Sequence, residues 1–344
     1  REFRTSARVA EILTGMGYDV AMGPDVIEPG SVGEPERLSE EQIRQEMERA
    51  VRQGADPAFV KRTQGWPGVM AVLDTGREGP VSAMRFEMDC LPYDEPQRPG
   101  YRPCDEGYLS CNPQSVHACG HDGHTTILLR FARMLSEHPL TKGRILLLFQ
   151  PAEENGNASK AVLDTKVLDY YQIDKAFALH NIPGYPLHVV LCKQGSFTRA
   201  VVSVSITLTG KTSHAAEPQK GISPIPAMLT IVDELSRWNN TDMQSDDYFL
   251  STIVEIHVGE EAYGVSAGNG VIRATLRAKT DKLLHQHAEQ LKNLVATECE
   301  RTPGLQHEME WLEPFSANEN DPQSVSLIKS ATIRNNLPYL ELQT

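Results

Sequence analysis

The sequence has little positive charge and no long hydrophobic run, and each shortage excludes a class of protein. It contains 33 lysines and arginines against 46 aspartates and glutamates, which gives a formal net charge of -13. Phosphate binding needs clustered basic side chains, so we expect no nucleic-acid partner. The apolar run RILLLF at 144–149 is much shorter than a membrane span, and we expect no membrane partner and no signal peptide.

Cysteines are also few, because the chain has only six, at irregular spacing. A disulfide framework is typical of short secreted chains, whereas scattered thiols in a large chain indicate a reducing compartment. We therefore expect a cytoplasmic protein with free thiols. A bond between Cys104 and Cys111 is the alternative that the spacing leaves open.

Internal repeats and low-complexity segments are absent as well, and 344 residues are many for a single hydrophobic core. Two domains are therefore expected. The chain opens in a helical pattern without an initiating methionine and closes without a terminating signal. We therefore expect both ends to be cuts through a larger protein.

The first part of the chain alternates strand and helix patterns. Apolar strand patterns occur at 80–89, 144–150 and 175–181, and a helical pattern occurs at 124–136. Such alternation is typical of an α/β domain whose sheet is largely parallel and buried on both faces.

From about residue 195 the pattern changes to strict alternation. In 201–208, valine, isoleucine and leucine share one face of a strand while serine and threonine share the other. One covered face and one wet face are typical of an antiparallel sheet. The strand and helix patterns that follow have the order βαββαβ, the ferredoxin-like motif. We therefore predict a small α+β domain at 195–314, inserted into an α/β domain made of 1–194 and 315–344.

The segment HACGHDGH, from His117 to His124, concentrates three histidines, one cysteine and one aspartate beside a predicted helix start. Imidazole and thiolate are ligands that zinc and similar borderline metals prefer. A glycine turn with incidental histidines is the alternative, and it would suit a lone histidine better than this group. The motif predicts a metal site around Cys119 and His121.

Three further motifs place polar side chains where predicted strands end. They are Asp89 in FEMDCLP, Glu153 and Glu154 in FQPAEENG, and His180 in ALHNIPGYP. The carboxyl ends of strands in an open α/β sheet are where ligands bind. Taken alone, the glutamates could form a solvated acidic loop and the histidine could be an ordinary hydrogen-bonded residue. The convergence of four clusters on one sheet edge favours a metal site.

The ordered set MDxLP, HACGHDGH, QPAEE and ALHN resembles the amidohydrolase branch of the aminoacylase/carboxypeptidase G metallopeptidases. That branch includes plant auxin-conjugate, hippurate and aminobenzoyl-glutamate hydrolases. The resemblance implies a zinc-peptidase-like α/β catalytic domain with an inserted ferredoxin-like lid domain at 195–314. It also implies hydrolysis of the amide bond of N-acyl amino acids or related small amides and dipeptides.

The same resemblance implies a role for each motif residue. Cys119, His121, Glu154 and His180 would bind the metal, with Cys119 bridging two ions of zinc, manganese, cobalt or nickel. Glu153 would be the general base, and Asp89 would orient a ligand through a hydrogen bond. Related subfamilies have a metal-binding histidine where this chain has Glu87, and Cys119 would compensate for it.

The lid domain would contribute to substrate binding and to assembly. His214, in KTSHAAEP, matches a histidine that holds the scissile carbonyl or the substrate carboxylate, and Arg277 and Asn269 are further candidates. A polar residue at a loop end is the alternative for His214, and a solvent-facing arginine is the alternative for Arg277. A homodimer through the lid domain is compatible with the resemblance.

The chain departs from the family pattern in one respect, because no histidine follows Pro314 where the family has a final ligand. Two alternatives therefore stay open. The protein could be an inactive relative that binds a partner protein or a small amide. A structural zinc protein is the weaker alternative. Structural zinc sites are usually closed sets of cysteine and histidine, and such a site would give the adjacent glutamates no role.

Overall fold

The structure is a computed structural model that describes residues 2–31 and 38–342. The chain divides into two units, Arg1–Gly184 and Tyr185–Thr344. The predicted domain limits at 194 and 314 stay predictions, and residues 1, 32–37 and 343–344 of the predicted catalytic domain lie outside the described part. No helix within the described ranges is long and apolar enough to cross a membrane.

The first unit contains five strands and seven α-helices among its described residues. The strands are β1 (Asp19–Met22), β2 (Val69–Asp74), β3 (Val81–Glu87), β4 (Arg144–Gln150) and β5 (Lys175–Ala178). The helices are α1 (Phe3–Gly15), α2 (Glu40–Arg52), α3 (Pro57–Arg62), α4 (Arg102–Asp105), α5 (His121–Glu137), α6 (Asn157–Asp164) and α7 (Val167–Tyr171).

The sheet of this unit has the strand order β1-β2-β4-β3-β5 and is mixed. Strands β4, β3 and β5 are parallel neighbours, whereas β1 with β2 and β2 with β4 are antiparallel pairs. The expectation of a largely parallel sheet is therefore wrong for half of the pairings. Two parallel strands need a connection of about a dozen residues or more, whereas β2 and β3 are joined by the short link 75–80. That link reverses the direction of the chain, so β2 is antiparallel to β3 and to β4, which lies between them.

Both faces of this sheet are buried, as expected. Leu147 and Phe149 of β4 pack on one face with α1 and α5, whereas Leu146 and Leu148 pack on the other face with α6. Successive side chains of a strand point to opposite faces, so the unbroken apolar run of β4 supplies both cores.

The second unit contains ten strands and three α-helices among its described residues. The strands are β6 (Val190–Cys192), β7 (Gly195–Thr198), β8 (Ala200–Thr209), β9 (Ser213–His214), β10 (Phe249–Val258), β11 (Val265–Ser266), β12 (Asn269–Ala278), β13 (Gln306–Phe315), β14 (Asn318–Asn320) and β15 (Tyr339–Glu341). The helices are α8 (Ile225–Arg237), α9 (Asp281–Glu300) and α10 (Pro322–Arg334).

The main sheet of this unit confirms the ferredoxin-like prediction. Strands β8, β10, β12 and β13 form an antiparallel sheet in the order β10-β12-β8-β13, with α8 and α9 as the two connecting helices. The alternating apolar residues of β8 and β12 pack against both helices in one core. Strict alternation therefore predicted both the sheet type and its covered face.

All six cysteines lie in the described part of the chain and all are free thiols. The alternative of a bond between Cys104 and Cys111 is therefore not formed in this structure.

Candidate metal centre

The predicted site residues of the first unit lie just beyond three parallel strands. Asp89 follows β3, Glu153 and Glu154 follow β4, and His180 follows β5. Because β4, β3 and β5 are parallel neighbours, their carboxyl ends share one edge of the sheet.

Helix α5 brings the HACGHDGH motif to the same edge, since it begins at His121. Gly120 precedes the helix with a φ of 95° and lies close to Asn181, and a Cβ at this glycine would lie 2.5 Å from Asn181 Oδ1. Glycine adopts this left-handed conformation without a steric penalty. The glycine of the motif therefore lets the helix start against the loop of His180.

Asp89 holds the buried His121 ring in one orientation. His121 Nδ1 lies 3.1 Å from Asp89 Oδ1, and the other carboxylate oxygen accepts the backbone N–H of Glu154 at 3.0 Å. A carboxylate that accepts from Nδ1 leaves Nε2 with a free lone pair, as in many metal sites of proteins. Asp89 therefore connects two candidate ligands.

Within the described residues, His121 Nε2 and Glu154 Oε1 are buried and have no hydrogen-bond partner. Nε2 lies 3.9 Å from that oxygen and 3.9 Å from Glu153 Oε2. Buried polar atoms are nearly always paired, so these atoms fit a cation between them.

Cys119 and His180 complete the group. Cys119 Sγ lies 3.3 Å from His180 Nε2, and His180 Nδ1 donates to the backbone oxygen of Asn181 at 2.7 Å. Among the residues that the structure describes, ligand atoms within 4.8 Å of one another form three overlapping sets, all of which contain His121: Cys119, His121 and His180; His121, Glu153 and Glu154; Glu87, His121 and His124.

The charges of this group also favour a cation. Burial and the neighbouring Glu154 carboxylate raise the pKa of the Cys119 thiol to about 12. Burial raises the pKa of the Glu153 carboxyl too, and the charge of Arg85 offsets only part of that rise. The neighbouring carboxylates therefore give the cluster a negative electrostatic potential. A bound divalent metal would reduce the repulsion among the donor atoms. The residues present fit such an ion.

Two buried residues next to these donors were not predicted as part of the site. His124 Nδ1 donates to Glu87 Oε2 at 3.1 Å, and both side chains are about 2% exposed. Burial alone would raise the pKa of Glu87, but the hydrogen bond from His124 and the charge of Arg85 outweigh burial and lower it. The three-residue spacing of His121 and His124 on a helix was a signal that both rings lie on one face, and it could have identified His124 but not Glu87.

The predicted substrate-binding residues lie in the second unit. His214 is in the short strand β9 and accepts the backbone N–H of Ala216 on Nδ1 at 3.1 Å. Asn269 begins β12 and is exposed, and Arg277, near the end of β12, is partly exposed. All three are accessible polar residues of the antiparallel unit.

Known proteins resemble this chain over much of its length. It is 40% identical over 224 residues to one of the subunits of p-aminobenzoyl-glutamate hydrolase from Escherichia coli strain K12, a match that covers 64% of this chain and 50% of that protein. It is 38% identical over 224 residues to indole-3-acetyl-aspartic acid hydrolase of Enterobacter agglomerans, again covering 64% and 50%. The chain thus spans about half the length of these curated relatives.

A solved structure has the same fold. It is a protein of Bacillus subtilis described as a dinuclear metal binding peptidase from the M20 family. The match has a TM-score of 0.70 and 20% identity, and it covers 100% of this chain and 77% of that one.

The sequence profile of peptidase family M20/M25/M40 matches residues 83–337, a span that begins in β3 and includes every candidate metal ligand. That match covers well over half of the chain and agrees with the fold and with the donor set at the sheet edge. The chain belongs to peptidase family M20/M25/M40.

Proposed function

We propose that the protein is a metal-dependent amidohydrolase that cleaves N-acyl amino acids into a carboxylic acid and a free amino acid. The observation that carries the proposal is the buried, unpartnered Nε2 of His121, surrounded by carboxylate and thiol donors. Cys119, His121, Glu154 and His180 are the proposed ligands. The names of the two curated relatives specify amides of glutamate and aspartate, so conjugates of acidic amino acids are the first substrates to test.

Glu153 is the proposed general base. A divalent metal, when bound, lowers the pKa of water and polarises a carbonyl oxygen. The Glu153 carboxylate accepts a proton from water while the water oxygen forms a bond to the amide carbonyl carbon. The carboxyl then gives that proton to the amide nitrogen as the C–N bond breaks, which regenerates Glu153. Burial raises the pKa of this carboxyl and so makes it the better base.

Two ions per site are the proposed content, and zinc, manganese, cobalt and nickel are the candidates. His121 has one free ring nitrogen and can hold only one ion. The donors on its two sides, Cys119 with His180 and Glu153 with Glu154, would therefore hold ions at two neighbouring positions. The Cys119 thiolate can bridge two ions, and its softness favours zinc or cobalt over manganese. The Bacillus subtilis protein of the same fold, described as dinuclear, supports this number.

His214, Asn269 and Arg277 are proposed to bind the substrate, on the family resemblance. Individual substitutions to alanine should raise KM for the N-acyl amino acid, because removing a hydrogen-bond donor weakens substrate binding. The alternatives, a loop-end histidine and a solvent-facing arginine, require an unchanged KM.

A homodimer through the second unit is the proposed assembly. Strand β10 pairs only with β12 in the described sheet, and its side chains Val254, Ile256 and Val258 are 63%, 53% and 39% exposed. An apolar edge strand is a template for pairing with another strand. Sedimentation velocity should show a dimer that Ile256→Lys converts to monomer, whereas a monomeric wild type would contradict the proposal.

A cytoplasmic location is proposed from the six free thiols.

The experiment for the activity is a substrate panel with metal exchange. The protein is freed of metal, reloaded with zinc, manganese or cobalt, and given p-aminobenzoyl-glutamate, indole-3-acetyl-aspartate and N-acetyl amino acids. Amino acid release that depends on the added metal supports the proposal. Bound metal without hydrolysis of any conjugate would favour the inactive, ligand-binding alternative instead.

A further inference from the structure

Strand β3 ends at the buried carboxylate of Glu87, and a second buried carboxylate, Asp89, follows two residues later. Only Asp89 has a task in the metal centre described above. Glu87 is 2% exposed and its charge is paired with Arg85, whose Nε also donates to Gln150 Oε1 at 2.8 Å. A buried carboxylate is costly unless it is paired and hydrogen-bonded. Its remaining partner is His124, which identifies the histidine as the group that Glu87 orients.

His124 in turn contacts the loop that carries His180. An ionised carboxylate can only accept a hydrogen bond. His124 therefore carries a hydrogen on Nδ1 and donates it in a hydrogen bond to Glu87 Oε2 at 3.1 Å. Its Nε2 contacts Asn181 at two atoms, at 3.1 Å from the backbone nitrogen and 2.7 Å from Oδ1. The buried imidazole therefore fixes the backbone of the residue that follows His180.

Asn181 fixes the His180 ring. The backbone oxygen of Asn181 accepts from His180 Nδ1 at 2.7 Å, which directs Nε2 towards Cys119 Sγ at 3.3 Å. His180 is exposed, and its ring packs edge-on against the rings of His124 and His121, with centroid distances of 4.7 and 5.6 Å. The hydrogen bonds from Glu87 through His124 and Asn181 add to that packing and fix the rotation of the ring.

We propose that Glu87 and His124 are positioning residues that hold His180 in place at the metal centre through Asn181. The inference rests on the proposed metal site. It assigns parallel tasks to the carboxylates at and just after the end of β3, since Asp89 orients His121 directly and Glu87 orients His180 through two intermediate residues. Neither Glu87 nor His124 is required as a ligand in this arrangement.

The test is a cobalt titration of the metal-free protein. His124→Phe keeps the ring and removes both nitrogens, so His180 should lose its anchor. We expect cobalt affinity to fall roughly 10–100-fold, as for other residues that orient a ligand, and the thiolate-to-cobalt absorption band to shift. Thr125→Val is the matched control, because it removes a buried hydrogen bond from the next residue of α5 to the backbone oxygen of Glu87.

A second variant guards against a loss of folding. Glu87→Gln keeps an oxygen for His124 but weakens it as an acceptor, so it should retain the cobalt stoichiometry and lose part of the affinity, whatever the thermal stability of His124→Phe. Loss of a whole equivalent of cobalt in Glu87→Gln would make Glu87 a ligand and overturn the proposal. So would a folded His124→Phe whose affinity and spectrum equal those of Thr125→Val. A wild-type protein that binds no cobalt would instead contradict the proposed function itself.

Discussion

At the scale of single residues, the site depends on which nitrogen of each histidine is left free. His121 and His180 both direct Nδ1 at an oxygen acceptor and Nε2 at the cluster of donors. The ligand types could be predicted from HACGHDGH and QPAEE, because thiolate, imidazole and carboxylate have known metal preferences. The roles of Asn181 and Glu87 could not be predicted, because they depend on loop contacts that no spacing encodes.

The hydrogen bond from His121 to Asp89 gives a first prediction. Asp89→Asn keeps the shape of the side chain and weakens its acceptor, so metal affinity should fall roughly 10–100-fold. Competition with a chromophoric chelator measures this directly. Asp122→Asn makes the same chemical change at an exposed position of α5 and should leave the affinity unchanged. Equal affinities for the two variants would remove Asp89 from the metal centre.

The Cys119 thiol gives a prediction about protons. Its pKa is raised to about 12, so it is protonated at neutral pH before metal binds. Binding through the thiolate must release that proton, and apparent metal affinity should rise with pH. Calorimetric titration in buffers of different ionisation enthalpy should show about one more proton released by the wild type than by Cys119→Ala. Equal release would mean that the thiol does not bind the metal.

At the scale of secondary structure, the start of α5 decides where the motif lies. Gly120 has a left-handed conformation and close contact with Asn181, whereas a Cβ at Gly123, inside the helix, would meet nothing within 4 Å in the described structure. Gly120→Ala should therefore lower the free energy of unfolding by about 1 kcal/mol or more and weaken metal binding. Gly123→Ala should raise that free energy by about 0.4–1 kcal/mol.

Thermal or urea unfolding of the two alanine variants measures these opposite effects. Both variants add one methyl group to the same eight-residue motif, so each is the control for the other. If both alanines stabilised the protein equally, the glycine at the helix start would not be needed for its conformation.

Most strands and helices could be predicted because their periodicity is local. The unbroken apolar run of β4 and the alternation of β8 and β12 each set the burial of a whole strand. The pairing direction of β1 and β2 could not be predicted in this way. Direction depends on connection length and on which strand inserts between neighbours, and β4 inserts between β2 and β3.

At the scale of the whole molecule, the change in periodicity near residue 195 marks two architectures. The first unit is a mixed sheet covered on both faces, and the second contains an antiparallel sheet covered by two helices. All of the proposed metal ligands lie in the first unit. Family membership and this donor set are the two findings that support the proposed hydrolysis of a small amide.

The most direct measurement of that activity compares wild type and Glu153→Gln at equal metal content, with glutamate release from p-aminobenzoyl-glutamate as the readout. Glutamine retains the shape of Glu153 but cannot accept the proton from water. The wild type should release glutamate only when loaded with metal. The variant should keep its metal and turn over about 10²–10⁴-fold more slowly. Equal rates in the two proteins, or a wild type that holds metal and cleaves no N-acyl amino acid, would contradict the account.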